Sequence, residues 1–463
     1  MSGATTHGGR HRPDRTLRRV APGVWLGGSP LRLFRLSPGG EALVAELAGP
    51  GGPGAVATTP AQQRLLDRLT AAGAAHPVAE AGAGPYTAAD VTVVVPVRDR
   101  PSGLDGLLGA LGPVLAAGGS VVVVDDGSAD AAAHGEAAAR HGARLVRRGH
   151  GHGPGPARNA GAALAPTPLL AFVDSDVTVA PGWLEPLVAH FADDGVGIVA
   201  PRVRSAPGAG RLAAYERRRS PLDLGPEPAR VAPGTRVSYV PAAALVVRAG
   251  ALRELGGFDE GLRWGEDVDF VWRAVEAGWR ARYEPAAEVA HAARAGWGAW
   301  ARQRFDYGSS AAELDARHPG VVAPVAVSPW SAAAWAAVAA GRPGIGAAVA
   351  AGSAAALVRK LDGVPPAEAR RLAVTGHLGA GRQLARAGVR VWWPALLAAS
   401  LVSRRARRIA LACVAATVAT TPGPAWVRAV AVADDIAYGA GVWRGVLRRR
   451  SARALLPRLP RWP

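Results

Sequence analysis

Two runs, VTVVVPV (91–97) and SVVVVDD (120–126), are continuously apolar, rich in β-branched residues and bounded by turn residues. Runs of this kind predict strands buried on both faces, as parallel strands are when helices cover the sheet. Residues 102–117 between them have the length of a crossover helix, and LLAFVDSDV (169–177) reads as a third strand ending in acids. Strand, helix and strand in this order predict a doubly wound α/β domain over residues 90–300. Upstream, residues 20–80 read as a small separate module. Its first part, VAPGVWLGGSPLRLFRLS (20–37), has strand-like runs broken by Gly and Pro. SPGGEALVAELA (37–48) then sets Ala42, Leu43, Leu47 and Ala48 at helical spacing behind Ser37 as cap, and 61–74 gives a second helix through Leu65, Leu66 and Leu69. Residues 80–89 read as a linker. Residues 1–19 are polar and basic without an apolar centre, which predicts a disordered N-terminus and no secretory signal.

Residues 301–463 are predicted to be helical. Beyond residue 318 the chain is Ala-rich and poor in acids, with uncharged runs at 321–341, 343–358, 391–403 and 409–427. Composition adds limits to this picture. The single cysteine, Cys413, excludes disulfide scaffolds, iron–sulfur sites and Cys-based zinc sites. A chain that is 49% hydrophobic and 19% charged is not a largely disordered one. Net charge is +18, carried almost wholly by arginine, since Lys360 is the only lysine. That excess suits nucleic acid, an anionic membrane surface or phosphate substrates, and its location decides among them.

Ligands of open α/β sheets bind beyond the carboxyl ends of the strands, and the three strand ends here are polar. The first ends in Pro96, Val97, Arg98 and Asp99, and the second in Asp125, Asp126, Gly127 and Ser128. A carboxylate at that second position can accept a base N–H. The third ends in Asp174, Ser175 and Asp176, a spacing that lets two carboxylates share a divalent cation with a diphosphate. An isolated Asp-x-Asp is commonly just a solvated turn, but this one ends an apolar strand about 50 residues after another acid-ended strand. Arg158 and Asn159, in GPARNAGAALA (155–165), open a helix whose N-terminus and guanidinium suit phosphate oxygens, although a capping Asn and a surface Arg would look the same. The loop RRGHGHGPG (147–155) lacks a full dinucleotide fingerprint and reads as a mobile loop over phosphates. Glu266 and Asp267 open an amphipathic helix through Phe270, Val271, Ala274 and Val275. They are either dipole partners of that helix or a general base. His291 follows another strand-like run and could join Asp176 in a metal shell.

In this order, VVVVDDGSAD, PARNAG, LLAFVDSDV, GGFDE and GEDVDF resemble glycosyltransferase family 2, with the GT-A fold, over about residues 90–300. The resemblance implies that Asp126, with Asp125, binds the uracil of a UDP-sugar. It implies that Asp174 and Asp176 serve the ribose and the Mg²⁺ or Mn²⁺ diphosphate, to which the residue reading adds His291 as a metal ligand. Asp267 would be the base of an inverting transfer, with Pro96, Asp99, Arg158 and Glu266 lining the substrate site. QRFDY (303–307) departs from the Gln-x-x-Arg-Trp motif of processive members. Within the family, LRLFRLSPGGEALVAEL (31–47), RFDYGSSAAELDARHPG (304–320) and the Ala-rich tail resemble the mycofactocin glycosyltransferases. That resemblance implies a winged-helix-like peptide-binding module at residues 20–80, which recognises a precursor peptide by strand addition. It further implies transfer of β-1,4-linked glucose from UDP-glucose to a peptide-derived redox cofactor. A cell-envelope transferase with a lipid-linked or glycan acceptor is the alternative.

The charge is concentrated at the C-terminus. Residues 401–463 hold 12 arginines against Asp434 and Asp435. Arginines beside uncharged runs predict a membrane-associated region at the anionic cytoplasmic leaflet, with a soluble Ala-rich helical bundle as the alternative. Few aromatic residues interleave with these arginines, so nucleic acid is not expected as a partner.

Overall fold

The computed structural model describes residues 9–49, 54–80, 82 and 84–460. The chain divides into two compact units. One comprises the residues up to Arg19 together with Trp25–Ala293, the other Val20–Val24 together with the residues from Arg294 onward.

The first unit is built on a mixed nine-stranded sheet. From one edge its order is Val177–Val179, Arg280–His291, Val196–Ser205, Ala244–Arg248, Leu169–Val173, Val91–Val97, Ser120–Asp125 and Arg144–Arg147, with Ala229–Val231 paired to Arg280–His291 off that path. Val91–Val97 runs parallel to both Ser120–Asp125 and Leu169–Val173. Ala244–Arg248 is antiparallel to Leu169–Val173 and to Val196–Ser205, so only part of the sheet is the parallel arrangement the sequence predicts. All seven residues of Val91–Val97 are buried. Valine fits this position because its branched side chain packs well on a pleated surface covered from both sides. Leu104, Leu107 and Leu108, from the crossover helix Pro101–Ala110, pack against the same core.

In the N-terminal segment the strands Arg18–Ala21, Val24–Gly27 and Arg32–Arg35 form a three-stranded sheet in that order. Two helices follow at Pro38–Leu47 and Pro60–Ala71, close to the predicted spans. Ser37 accepts the Gly40 N–H as the expected cap. Leu43, Val44, Leu47, Leu66 and Leu69 form their core with Trp25 and Phe34. Residues 9–19 are not disordered: His11–Pro13 pairs antiparallel with Ala75–Pro77. The cause is a buried hydrogen bond that polarity alone does not reveal, with His76 Nε2 3.0 Å from Asp14 Oδ2. Burial pushes the Asp14 carboxyl up, but hydrogen bonds from His76 and Thr16 outweigh it and hold the pKa at about 2. Residues 1–8 lie outside the described part. The predicted boundary at residue 80 is bridged as well, because Ser29 Oγ accepts the Arg236 N–H at 2.6 Å.

The second unit is helical, as expected. Its main helices are Trp297–Ser309, Ala311–Arg317, Pro329–Ala339, Pro343–Lys360, Pro366–Arg390, Trp393–Val402, Arg404–Thr420 and Ala425–Arg449. The uncharged runs are divided among these helices at prolines. Pro329 opens a helix, and Pro422 and Pro424 lie between the last two. Among the described residues no helix is long and apolar enough to cross a membrane. Trp297–Ser309 and Ala425–Arg449 pack closely because Gly441 presents no side chain. A Cβ there would run into the carbonyl oxygen of Phe305. Gly441→Ala therefore forces backbone apart and is expected to destabilise the protein by about 1–3 kcal/mol. A denaturant midpoint equal to that of the wild type would contradict this account of the contact.

Candidate active site

The parallel register sets the strand ends side by side. Val97 lies opposite Asp125, and Val94 opposite Phe172. Asp99, Asp125, Asp126, Asp174 and Asp176 are thus collected along one edge. Pro96 is buried within its strand opposite Val124. Asp99 turns the chain there with φ of 54°, a left-handed conformation that aspartate tolerates better than most residues. Its carboxylate accepts the Ala129 N–H at 2.8 Å, and its own N–H donates to Ser128 Oγ at 2.9 Å.

Asp125 is fully buried. Its Oδ1 accepts the Ser128 N–H at 2.8 Å, while its Oδ2 has no hydrogen-bond partner and lies 3.9 Å from Arg147 Nη1. Asp126 organises the glycine-rich loop. It accepts the backbone N–H groups of His152 at 3.1 Å and Gly153 at 2.8 Å, and Arg148 lies 3.3 Å away. The loop read as mobile is therefore folded onto an acid of the site.

Arg158 lies at the centre of the cluster, 3% exposed. Its Nη2 donates to Asp174 at 2.7 Å and its Nη1 to Glu266 at 2.8 Å. Its guanidinium also stands 5.5 Å from the centroid of the Phe258 ring. The neighbouring Asn159 clamps the GGFDE segment, accepting from and donating to the Phe258 backbone at 2.8 Å each. Arg158 thus joins the third strand end to the helix Glu266–Glu276. Asp267 begins that helix beside Glu266, and its two oxygens accept the N–H groups of Val268 at 2.8 Å and Ala242 at 3.2 Å. Three carboxylates therefore face one guanidinium. Burial and the Asp267 charge raise the Glu266 pKa to about 7, against the pull of Arg158. Burial raises that of Asp267 as well, opposed by the same arginine.

The second acid of the Asp-x-Asp pair faces elsewhere. Asp176 Oδ2 accepts from Arg100 Nη1 at 2.5 Å, and Oδ1 lies 3.3 Å from His291 Nε2. His291 reaches this point because Val177 is its register partner in the antiparallel pair. Of the three residues expected to hold a cation, the structure brings Asp176 and His291 together and sets Asp174 on Arg158. Among the described residues no group of three or more His, Cys, Asp or Glu side chains could hold a metal ion. One carboxylate, with diphosphate oxygens and water as the remaining ligands, is the manner in which Mg²⁺ is commonly held, while an imidazole beside it suits a transition-metal ion better.

The glycosyl transferase family 2 profile matches residues 92–255. The pre-mycofactocin glycosyltransferase of Mycobacterium tuberculosis is 39% identical to this chain, over 96% of the chain and 97% of its own length. The chain belongs to glycosyltransferase family 2. It is a transferase with the GT-A-like α/β fold of that family. A solved structure of a mannosyltransferase from Pyrobaculum calidifontis, in complex with GDP-Man and Mn2+, aligns at 17% identity with a TM-score of 0.45. That alignment covers 78% of this chain and 88% of that one. S. aureus TarS 1-349 in complex with UDP aligns at 21% identity and a TM-score of 0.37, over 48% of this chain and 65% of its own.

Two participants in this family 2 site escape sequence reasoning. Arg100 sits one residue beyond Asp99, and only the approach of the first and third strand ends sets it against Asp176. The Ala242 peptide, whose N–H serves Asp267 and whose carbonyl accepts from Arg158 at 3.4 Å, acts through backbone atoms that no side-chain identity marks. The raised Glu266 pKa has a testable consequence. A carboxyl with a higher pKa when folded binds more protons in the native state, so its contribution to stability falls as pH rises from about 4.5 to about 7. Glu266→Gln removes that titration, so its unfolding temperature should gain on the wild type across this window. A constant difference would show that burial does not shift this group.

Proposed function

We propose that this family 2 enzyme transfers glucose from UDP-glucose to a mycofactocin precursor, with inversion at the anomeric carbon and formation of β-1,4-linked units. The observation that carries the acceptor assignment is the similarity, over nearly the whole length of both chains, to the pre-mycofactocin glycosyltransferase. Support for the chemistry comes from the acid cluster. Asp126, with Asp125, is assigned to the uracil, and Asp125 Oδ2, which has Arg147 at 3.9 Å but no hydrogen bond, is a buried acceptor suited to a base N–H. Asp174, Arg158, Glu266, Asp99 and Pro96 shape the rest of the donor site. Asp176 and His291 would hold a Mg²⁺ or Mn²⁺ ion. When bound, that ion neutralises charge developing on the leaving diphosphate.

Asp267 is assigned as the general base. Each of its oxygens receives one backbone N–H, which fixes the carboxylate and leaves a lone pair for the acceptor hydroxyl. The acceptor oxygen forms its bond to the anomeric carbon as the bond to the diphosphate breaks. UDP departs with the electron pair, and the hydroxyl proton passes to Asp267. Burial, by raising the pKa of this group, makes it a better proton acceptor.

The N-terminal module is assigned to acceptor recognition, in the manner of winged-helix-like peptide-binding domains. Arg32–Arg35 is an edge of its three-stranded sheet, where a peptide can add as a further strand. We place the enzyme in the cytoplasm, at the inner face of the membrane, on the strength of the arginine excess in the C-terminal helices. The same excess favours a second reading, a lipid-linked or glycan acceptor of the cell envelope.

Incubation with UDP-glucose and either a mycofactocin precursor or a lipid-linked acceptor separates the two readings. The mass of the first should grow by hexose units, and growth of the second alone would overturn the leading proposal. Asp267→Asn should lower turnover by about 10²–10⁴-fold while UDP-glucose still binds, and undiminished turnover would remove Asp267 from the role of base. Asp176→Ala should abolish the enhancement of UDP affinity by Mn²⁺ in calorimetric titration. Persistence of that enhancement would place the ion elsewhere.

A further inference from the structure

The helix Trp393–Val402, WPALLAASLV, contains no buried residue. Towards its C-terminal end Leu397, Leu401 and Val402 are 58%, 80% and 90% exposed. Ser403 then ends this helix and caps the next, accepting the Ala406 N–H. The next helix begins with Arg404, Arg405, Arg407 and Arg408, all exposed. Arg404, Arg407, Arg408 and the exposed Leu411 recur at the spacing of one helix face, while the buried Ala406 and Thr417 mark the inner side.

A second corner adjoins the first. Arg405 donates to the carbonyl of Ala340, in the turn between Pro329–Ala339 and Pro343–Lys360. Arg342 in that turn, and Val338 and Ile345 in the helix ends flanking it, are exposed. The two corners make one end of the helical unit. Residues 338–345 and 397–411 contain five arginines and no acid.

Large aliphatic side chains presented to water in a contiguous patch mark an interaction surface, and what surrounds them indicates the partner. A cationic rim without acids around branched aliphatic tips matches the boundary between anionic lipid headgroups and acyl chains. Guanidinium groups meet phosphates in bidentate fashion while the leucines enter hydrocarbon. With no helix among the described residues able to cross a bilayer, contact at this end would be interfacial.

We propose that this double corner is a membrane-docking tip. Leu397, Leu401, Val402 and Ile345 would insert between lipids, and Arg342, Arg404, Arg407 and Arg408 would engage anionic headgroups. The inference rests on the membrane placement proposed for the enzyme and names the surface responsible. Sedimentation of the full-length protein with phosphatidylglycerol vesicles tests both, with phosphatidylcholine vesicles as control. The wild type should bind the anionic vesicles and release them at high salt. The Leu401→Asp/Val402→Asp variant should lose affinity by about tenfold or more, and Arg404→Gln/Arg407→Gln/Arg408→Gln should weaken binding and flatten its salt dependence. Transfer to a water-soluble acceptor should be unchanged in both variants, which reports their folding. Failure of the wild type to bind anionic vesicles overturns the placement and the tip together. Wild-type binding that both variants retain overturns the tip alone.

Discussion

A single buried guanidinium sets the terms for the acid cluster. Arg158 gives one donor to Asp174 at the end of a central strand and another to Glu266 at the start of a helix. Carboxylates this close and this buried repel one another and lose hydration, a combination that costs several kcal/mol per ion unless a counter-charge is fixed among them. Arginine suits the place because its planar fork serves two acids at once and keeps its proton in an apolar setting. One positive charge among three carboxylates still leaves the cluster under-compensated. Burial first, and the neighbouring acid charges after it, raise the pKa values of Glu266 and Asp267 against the pull of Arg158. Under the proposed role of Asp267 as base, such an imbalance favours uptake of the acceptor proton.

That arrangement depends on strand register more than on any one loop. The parallel alignment of Val91–Val97 with its two neighbours delivers the acids to one edge. The antiparallel strand Ala244–Arg248 then brings the Ala242 peptide between Asp267 and Arg158. His291 arrives by a third route, through the pairing of Arg280–His291 with Val177–Val179. Sheet and site are in this sense one construction, and a slip of one residue in any of these pairings would turn an acid away from its partner.

How much of this could be read from the sequence follows from the range of the interactions involved. The Val-rich strands, the helix capped by Ser37 and the helix opening at Glu266 are set by local periodicity and capping, and each is found where the pattern predicts it. Acid-ended strands mark the edge that collects Asp125, Asp126, Asp174 and Asp176. What the pattern cannot convey is the pairing of side chains far apart in the chain. Asp14 with His76, Arg100 with Asp176 and Arg158 with Glu266 span 62, 76 and 108 residues respectively. The first of these orders a segment whose composition reads as disordered. The last makes of Arg158 a link between acids, in a motif where the sequence offers only phosphate binding or a surface position.

The near-exclusive use of arginine has a practical side. Lys360, exposed at the end of the helix Pro343–Lys360, carries the only primary amine among the side chains. Arginine stays protonated and does not compete for acylating reagents under ordinary conditions. Amine-directed chemistry thus addresses one known point on the helical unit, apart from the terminal amine of the chain. A short cross-linker joining two lysine side chains has no intramolecular solution here and must join two molecules. Self-association can therefore be read from the cross-linked species without first sorting links within one chain from links between chains.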